Sequence, residues 1–420
     1  MMVMKRGYRF GSADFVRLWA SGTVSFFGTA VSTVALPLVA LSTLGASTFE
    51  AGLISAAGLL SWLLLGLSAG VLIERVVRRP LLITCDVIRA VALATIPLAY
   101  AFHVLTITQL VLVALVVGVG SVFFDVAIQT YLPSIVGRDE LLAGNSKLQT
   151  SENAAKTGGP AVGGVLVSAI GAPLAILVDV ASYVFSAIGL ATVRQREEPP
   201  EPQPHRPVAA RIWEGLHAVL GDPVLRPLTM VAASLNFLGA GFDTLLVPYL
   251  LRGLNLTPAL IGVLVALGGV GGVLGAAAGA SIARRFGDAR AMVVTALVGP
   301  LLSLLVPTAF GGFGLLLFAF GLIGREVCIS VYSLLARSYR QLTTPAGLLA
   351  RVTASIKFLS WGVLPIGALV GGLLGQVLGN RAGMWVICLA LLLTPLPLVL
   401  SGLLRRRDLD DPAPAEPITE

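Results

Sequence analysis

The chain has 420 residues, 56% of them apolar and 12% charged, where an average soluble domain carries about 45 to 50% and about 25%, so one globule cannot bury the excess. The formal charge of +7 rests on 25 Arg and four Lys; these lie almost wholly between apolar segments, which fits membrane topology and sets nucleic acid aside as a partner. Cys85, Cys328 and Cys388 sit inside apolar runs and His103, His205 and His217 are far apart, so neither a disulfide framework, a metal centre nor a cofactor is expected.

A membrane-crossing helix takes about 20 residues. Stretches of that length and character follow at 18–41, 51–73, 81–102, 107–130, 145–170 and 173–193, then at 228–251, 259–282, 291–310, 313–333, 352–378 and 383–404. This predicts an all-α membrane protein with twelve spans. The basic residues before the first run resemble a signal peptide, but that run is too long and has no small-residue cleavage site, so it reads as a retained first helix. One side of the expected topology collects Arg75, Arg78, Arg79, Arg138, Arg194, Arg284, Arg285, Arg337 and Arg405, whereas the other holds Arg252 and Arg381. Positive charge stays cytoplasmic, so a multi-pass protein of the cytoplasmic (inner) membrane with both termini inside is expected.

The segment 194–227 separates six spans from six. It opens Arg196-Glu197-Glu198-Pro199-Pro200, an extended and solvated composition. Ile212, Trp213, Leu216, Val219 and Leu220 then share one face of a short helix, suited to the membrane surface or to the bundle. The organisation expected is a six-helix bundle over 1–193, a cytoplasmic linker over 194–227, a second bundle over 228–404 and a disordered tail over 405–420, rich in Asp, Pro and Glu.

The two sets of spans repeat one another. Phe27-Gly28 with Pro37 in the first span matches Phe237 and Gly239 with Pro248 in the seventh, Gly28 and Pro37 both at a shift of 211. Gly66 and Gly70 match Gly275 and Gly279 at 209, and Gly163-Gly164 with Gly171 matches Gly371-Gly372 with Gly379 at 208. A near-constant shift across three segments predicts a duplicated, pseudo-symmetric bundle. Small residues in these spans permit close backbone approach, and Pro37, Pro160, Pro248 and Pro365 remove donors and bend their helices.

Gly70-Val-Leu-Ile-Glu74-Arg75-Val-Val77-Arg78-Arg79 resembles the signature loop of the major facilitator superfamily, with Glu74 in place of Asp and Val77 in place of Gly. A degenerate copy begins at Gly279 and continues to Arg284-Arg285. Gly159-Pro160-Ala161-Val162-Gly163-Gly164 is similar to the fifth-helix motif of exporters in that superfamily. Phe124-Asp125 through Leu141-Leu142-Ala143-Gly144-Asn145, and Trp213-Glu214-Gly215-Leu216, resemble the branch of enterobactin exporters and macrolide efflux pumps. The resemblance implies two six-helix bundles with a substrate cavity between them, and proton-driven alternating access. The fourth-helix arginine of many proton antiporters in the superfamily has no counterpart here, since 109–130 holds neither Lys nor Arg.

An ionised side chain at the bilayer centre costs about 2.5 to 3.5 kcal/mol on insertion scales, so each is expected to be paired or functional. Asp86, Arg89 and Asp125 lie near the Arg78/Arg79 loop; they read either as a latch with that loop or as a permanent salt bridge. Glu152 and Lys156 stand at i and i+4 and share a helix face. Asp179, Asp243, Arg325, Glu326 and Lys357 sit deeper. The resemblance places the first, fourth, seventh and tenth helices around the cavity, which favours Asp243 and Arg325-Glu326 for substrate or proton work, with Asp243 or Glu326 taking a proton as substrate leaves and Asp179 and Glu152 as the next candidates. Phe27, Phe124, Phe237 and Trp361 are candidate cavity aromatics for a bulky apolar ligand.

The expected function is secondary active export of a small amphipathic molecule, such as a drug, antibiotic or siderophore-like compound, by a monomer through proton antiport. An uptake symporter or lysolipid transporter of the same fold is the alternative, and an intramembrane transferase a distant one. The chain holds no Gly-x4-Gly-Lys-Ser/Thr loop for direct ATP drive.

Overall fold

The computed structural model describes residues 12–66, 72–73, 76–136, 140–194, 208–310, 312–344 and 346–401, and among these no strand occurs. Apolar runs of this length leave the backbone only one way to satisfy its own polar groups in lipid, which is the helix. The first half comprises α1 (Ala13–Leu38), α2 (Thr48–Leu65), α3 (Arg78–Ala101), α4 (Ile107–Ile135), α5 (Leu141–Ile170) and α6 (Ala172–Ala191). After the linker helix α7 (Val208–Gly221) come α8 (Leu225–Pro248), α9 (Pro258–Phe286), α10 (Asp288–Ser303), α11 (Gly314–Thr343), α12 (Ala346–Trp361), α13 (Leu364–Leu378), α14 (Asn380–Leu391) and α15 (Leu396–Leu400). Helix starts carry local signals. Ser12 caps α1, a Ser47–Glu50 capping box starts α2, and Thr106 caps α4, each satisfying an orphan N–H.

Among the described residues ten helical stretches are long and apolar enough to cross a membrane, against the twelve spans expected, and the fifth and ninth are the two that fall short. The first half of α5 carries Asn145, Lys147, Gln149, Glu152, Asn153 and Lys156, too many polar groups for an apolar window. Helix α10 ends at Ser303 after 16 residues, and the chain continues in tighter turns in which Leu304, Leu305 and Val306 bond back to the carbonyls of Leu301, Leu302 and Ser303.

The chain forms two compact units, Met1–Pro204 with Asn255–Ala266 and His205–Leu254 with Leu267–Glu420, so the first turns of α9 group with the first unit. Within the first unit α1 packs on α5 and α6, α3 on α4 and α6, and α2 on α4. Within the second, α8 packs on α13 and α14, α10 on α11, and α7 on α12. The amphipathic pattern of α7 is resolved by that last contact. Val219 is fully buried in the core of the second unit, whereas Trp213 stays 65% exposed.

The repeat read in the sequence is a repeat of helix interfaces. A Cβ on Gly163 of α5 would sit 2.9 Å from the Val31 carbonyl of α1, and one on Gly241 of α8 would sit 3.0 Å from the Gly367 carbonyl of α13. Gly118 meets α2 at Gly58 and Ser61, and Gly275 of α9 meets α11 at Val327 and Ser330. Backbones touch at the same places in both units because no side chain intervenes. Gly171 and Gly379, with φ of 83° and 85°, each break one helix from the next, a backbone region that side chains rarely adopt. Pro37 and Pro248 each precede a π-helical turn, Val39–Thr43 and Tyr249–Gly253, as expected where a missing N–H and a ring clash widen the helix.

Candidate functional site

The first unit encloses a polar centre built from α1, α3, α4 and α6. Helix α3 places Asp86 and Arg89 one turn apart, 0% and 3% exposed, and their side chains form an ion pair. The stem of Arg89 reaches α4 at Gly120, where a Cβ would lie 2.7 Å from Arg89 Cγ; the missing side chain is what lets the arginine pass. Its guanidinium then lies 4.3 Å from the ring centroid of Phe124 and 4.2 Å from that of Tyr183, cation–π geometry on both. The Tyr183 hydroxyl shares a 2.9 Å hydrogen bond with Thr29 of α1.

One turn before Tyr183, Asp179 is completely buried. Its Oδ2 accepts a 2.5 Å hydrogen bond from Ser32 of α1 and its Oδ1 a 3.2 Å bond from Ser182. Helix α1 presses on it directly, since a Cβ on Gly28 would sit 2.7 Å from Oδ1. Arg89 lies within electrostatic reach of Asp86, Asp125 and Asp179. The Arg89 guanidinium thus lies within reach of three carboxylates, two of them out of contact with water, a costly arrangement in apolar surroundings unless protons or hydrogen bonds offset it.

The expected residues distribute as follows. The latch reading set Asp86 and Asp125 against Arg78 and Arg79; here Asp86 pairs with Arg89, as in the alternative reading of a salt bridge within the bundle. Arg79 Nε donates to the Leu190 carbonyl at 3.0 Å, and Nη2 to that of Ala191, because it emerges at the helix start, where the last carbonyls of α6 are within reach. Gly70, Glu74 and Arg75 lie outside the described residues. Phe124 is 1% exposed, so it is a platform under Arg89 and not a wall of an open cavity. Phe27 is 38% exposed and its ring lies near Gly158 of α5. On the exposed face of α5 Lys156 pairs with Glu152 at 2.6 Å, and Gln149 donates to Glu152 and Asn153. Gly159 and Gly163 of the exporter-type motif face Ala30 and Val31 of α1, Gly164 faces Gly262, and the Pro160 carbonyl faces Gly262 as well.

In the second unit Arg325 is 5% exposed, pairs with its neighbour Glu326, and holds its guanidinium 4.4 Å from the Phe242 ring centroid. The 100° between adjacent helical positions is bridged by the reach of the two side chains, so they face each other. Asp243, on the exposed surface of α8, is within electrostatic reach of both. The Lys357 ammonium lies 5.4 Å from the Trp361 ring. A cavity of about 410 Å³ is lined by Phe237, Leu238, Val363 and Thr394 among others. Among the described residues no cluster of His, Cys, Asp and Glu is arranged to hold a metal.

Sequence reasoning passed over Ser32, Thr29, Tyr183 and Gly120. One signal was available for Ser32: the shift of 211 that aligns Gly28 with Gly239 and Pro37 with Pro248 also aligns Ser32 with Asp243. A hydroxyl of the first unit thus stands where the second unit carries a carboxylate.

The chain is 29% identical over 394 residues to the multidrug efflux pump Tap of Mycolicibacterium fortuitum, spanning 91% of this chain and 94% of that one. It is 25% identical over 180 residues to macrolide efflux protein A of Streptococcus pyogenes, covering 43% of this chain and 44% of the relative. A bacterial homologue of the iron transporter ferroportin superposes with a TM-score of 0.76 at 18% identity, over 94% of this chain and 99% of the other, a shared fold of the major facilitator superfamily. The family model described as transmembrane secretion effector matches residues 9–419; spanning nearly the whole chain, that match makes this protein a member of the transmembrane secretion effector family, a transporter branch of the major facilitator superfamily.

Proposed function

We propose that the protein exports amphipathic small molecules from the cytoplasm across the inner membrane by alternating access, as a monomer, in exchange for protons. The observation that carries this reading is similarity to a multidrug efflux pump along 91% of the chain. The chemistry of α5 agrees with it. Glu152, Lys156, Gln149 and Asn153 form an exposed polar face on a helix of a membrane bundle, and such a face requires water or a polar ligand, not lipid. Phe27 adds an exposed ring near the same helix, which suits a ligand with both charge and apolar surface. Asp243, Arg325 and Glu326 are the corresponding candidates in the second unit.

Inverted membrane vesicles provide the test. An exporter of this orientation accumulates the amphipathic cation ethidium inside such vesicles when the lumen is acidified, and a protonophore abolishes the accumulation. An uptake symporter depletes ethidium from the lumen instead, and accumulation that is indifferent to the protonophore removes proton exchange from the proposal. Substituting Glu152→Gln removes the carboxylate of the exposed face and is expected to weaken ethidium binding about tenfold, equivalent to about 1.4 kcal/mol, measured by fluorescence titration of purified protein. Unchanged affinity takes Glu152 out of the binding surface.

A further inference from the structure

We infer that Asp179, sealed beneath α1, is the residue of the first unit that carries the coupling proton, and that Ser32 reports its state to α1. The inference rests on the export reading above and names the group through which the ion acts. Its basis is where this carboxylate sits. Asp179 has no exposed surface, and the elements that cover it are the ones that would have to move to admit a proton. Gly28 brings the α1 backbone against Oδ1, and Ser32, one turn further along α1, donates to Oδ2 at 2.5 Å. Four residues beyond Asp179 on α6, Tyr183 joins α1 again through Thr29. One turn of α1 is therefore fastened to one turn of α6 at two points, with the acid at one of the fastenings.

The groups around Asp179 make its charge conditional. From α3 come Asp86 and Arg89, already paired to each other, and from α4 comes Asp125, within reach of the same Arg89. From α6 itself come Ser182 and Tyr183. Helix α5 also packs on α6, but its Glu152 and Lys156 lie on its exposed face, and the π turn Val39–Thr43 carries no titratable side chain. Arg89 thus faces both Asp86 and Asp179, and whichever of them gains a proton leaves Arg89 to the other. When the proton departs, the new charge on Asp179 competes with Asp86 for Arg89 and demands the Ser32 hydroxyl as donor. The position of α1 then depends on whether Asp179 is protonated. The proton adds to one carboxylate oxygen and leaves from it, and no other bond is made or broken.

The experiment uses the full chain in proteoliposomes with ethidium as the probe, comparing wild type with D179N and S32A. The asparagine preserves volume and most hydrogen bonds but cannot carry a proton. D179N is expected to bind ethidium within about threefold of wild type and to exchange it between equal pools, while losing accumulation driven by a pH gradient and the proton release that follows ethidium addition in weak buffer. S32A keeps the acid and is expected to lower the number of protons released per ethidium moved. Gradient-driven accumulation by D179N at the wild-type rate overturns the inference, as does loss of binding and exchange together with accumulation, which marks a purely structural residue. An unchanged proton-to-ethidium ratio in S32A overturns the role of Ser32 even if D179N cannot be recovered folded. Wild-type protein that accumulates no ethidium under any gradient defeats the export reading itself, a result distinct from all of these.

Discussion

Arg89 shows why residue type matters more than charge at a buried position. Its planar guanidinium lies between the rings of Phe124 and Tyr183 while donating to Asp86, and a lysine ammonium, a point charge on a flexible stem, cannot do both. Removing the cation alone leaves Asp86 and Asp179 buried without it, for which about 3 to 5 kcal/mol of destabilisation is typical. R89A is therefore expected to lower thermal stability in detergent by that amount. The double variant D86N/R89A recovers part of the loss, because one of the stranded carboxylates has gone with its partner. A double variant no more stable than R89A would show that the penalty is packing and not charge. None of this geometry was legible in the sequence. Asp86 and Arg89 stood out as costly residues, but the path of Arg89 across α4 depends on Gly120, and a glycine among 47 does not declare which neighbour it makes room for.

At the scale of elements, the sequence is most readable where helix and lipid impose the same rule. Apolar length located most of the spans, and the spacing of Gly163, Gly371 and their partners marked where backbones touch. It was least readable where tertiary contacts excuse a departure from apolar character, as in the polar first half of α5, or where a span finishes in turns, as after Ser303 in α10. The duplicated breaks between helices allow a direct check. Gly171 and Gly379 have the same left-handed backbone at φ of 83° and 85°, and a Cβ at either would meet open space, so the cost of a side chain there is conformational alone. G171A and G379A, at ψ of 155° and 153° in a region open essentially to glycine alone, are each expected to destabilise the protein by about 1 to 3 kcal/mol, equally and additively, as read from melting temperatures of the single and double variants. A large difference between the two would mean that the breaks have diverged in packing despite their common geometry.

The two units share their helix interfaces but not their polar centres. In the first, the buried charges stand on α3 and α6, with α1 supplying hydroxyls; in the second, α8 supplies a carboxylate and α11 the Arg325–Glu326 pair. The duplicated pattern of small residues preserved backbone approach, which any substitution by a larger side chain would disturb, while polar positions were free to diverge once packing was secured. That is why comparing halves revealed the architecture but not the polar centres: the cavity helices implied by the resemblance pointed to Asp243 and Glu326, whereas the most enclosed carboxylates among the described residues are Asp86 and Asp179.

The orientation proposed for the chain in the membrane rests on arginine placement and is open to direct measurement. Arg284 and Arg285 close α9, and Arg194 follows α6, on the side where positive charge is retained. His103, between α3 and α4, and Phe310, between α10 and α11, are expected on the opposite side. All four probes, His103, Trp213, Arg284 and Phe310, are exposed, whereas the native thiols Cys85, Cys328 and Cys388 are buried and give little background. A membrane-impermeant maleimide is expected to label W213C and R284C in inverted vesicles but not in cells whose cytoplasmic membrane is sealed, and H103C and F310C in the reverse pattern. Labelling of H103C and W213C from the same face would break the alternation of spans between them, and with it the assignment of α4, α5 and α6 as three consecutive crossings.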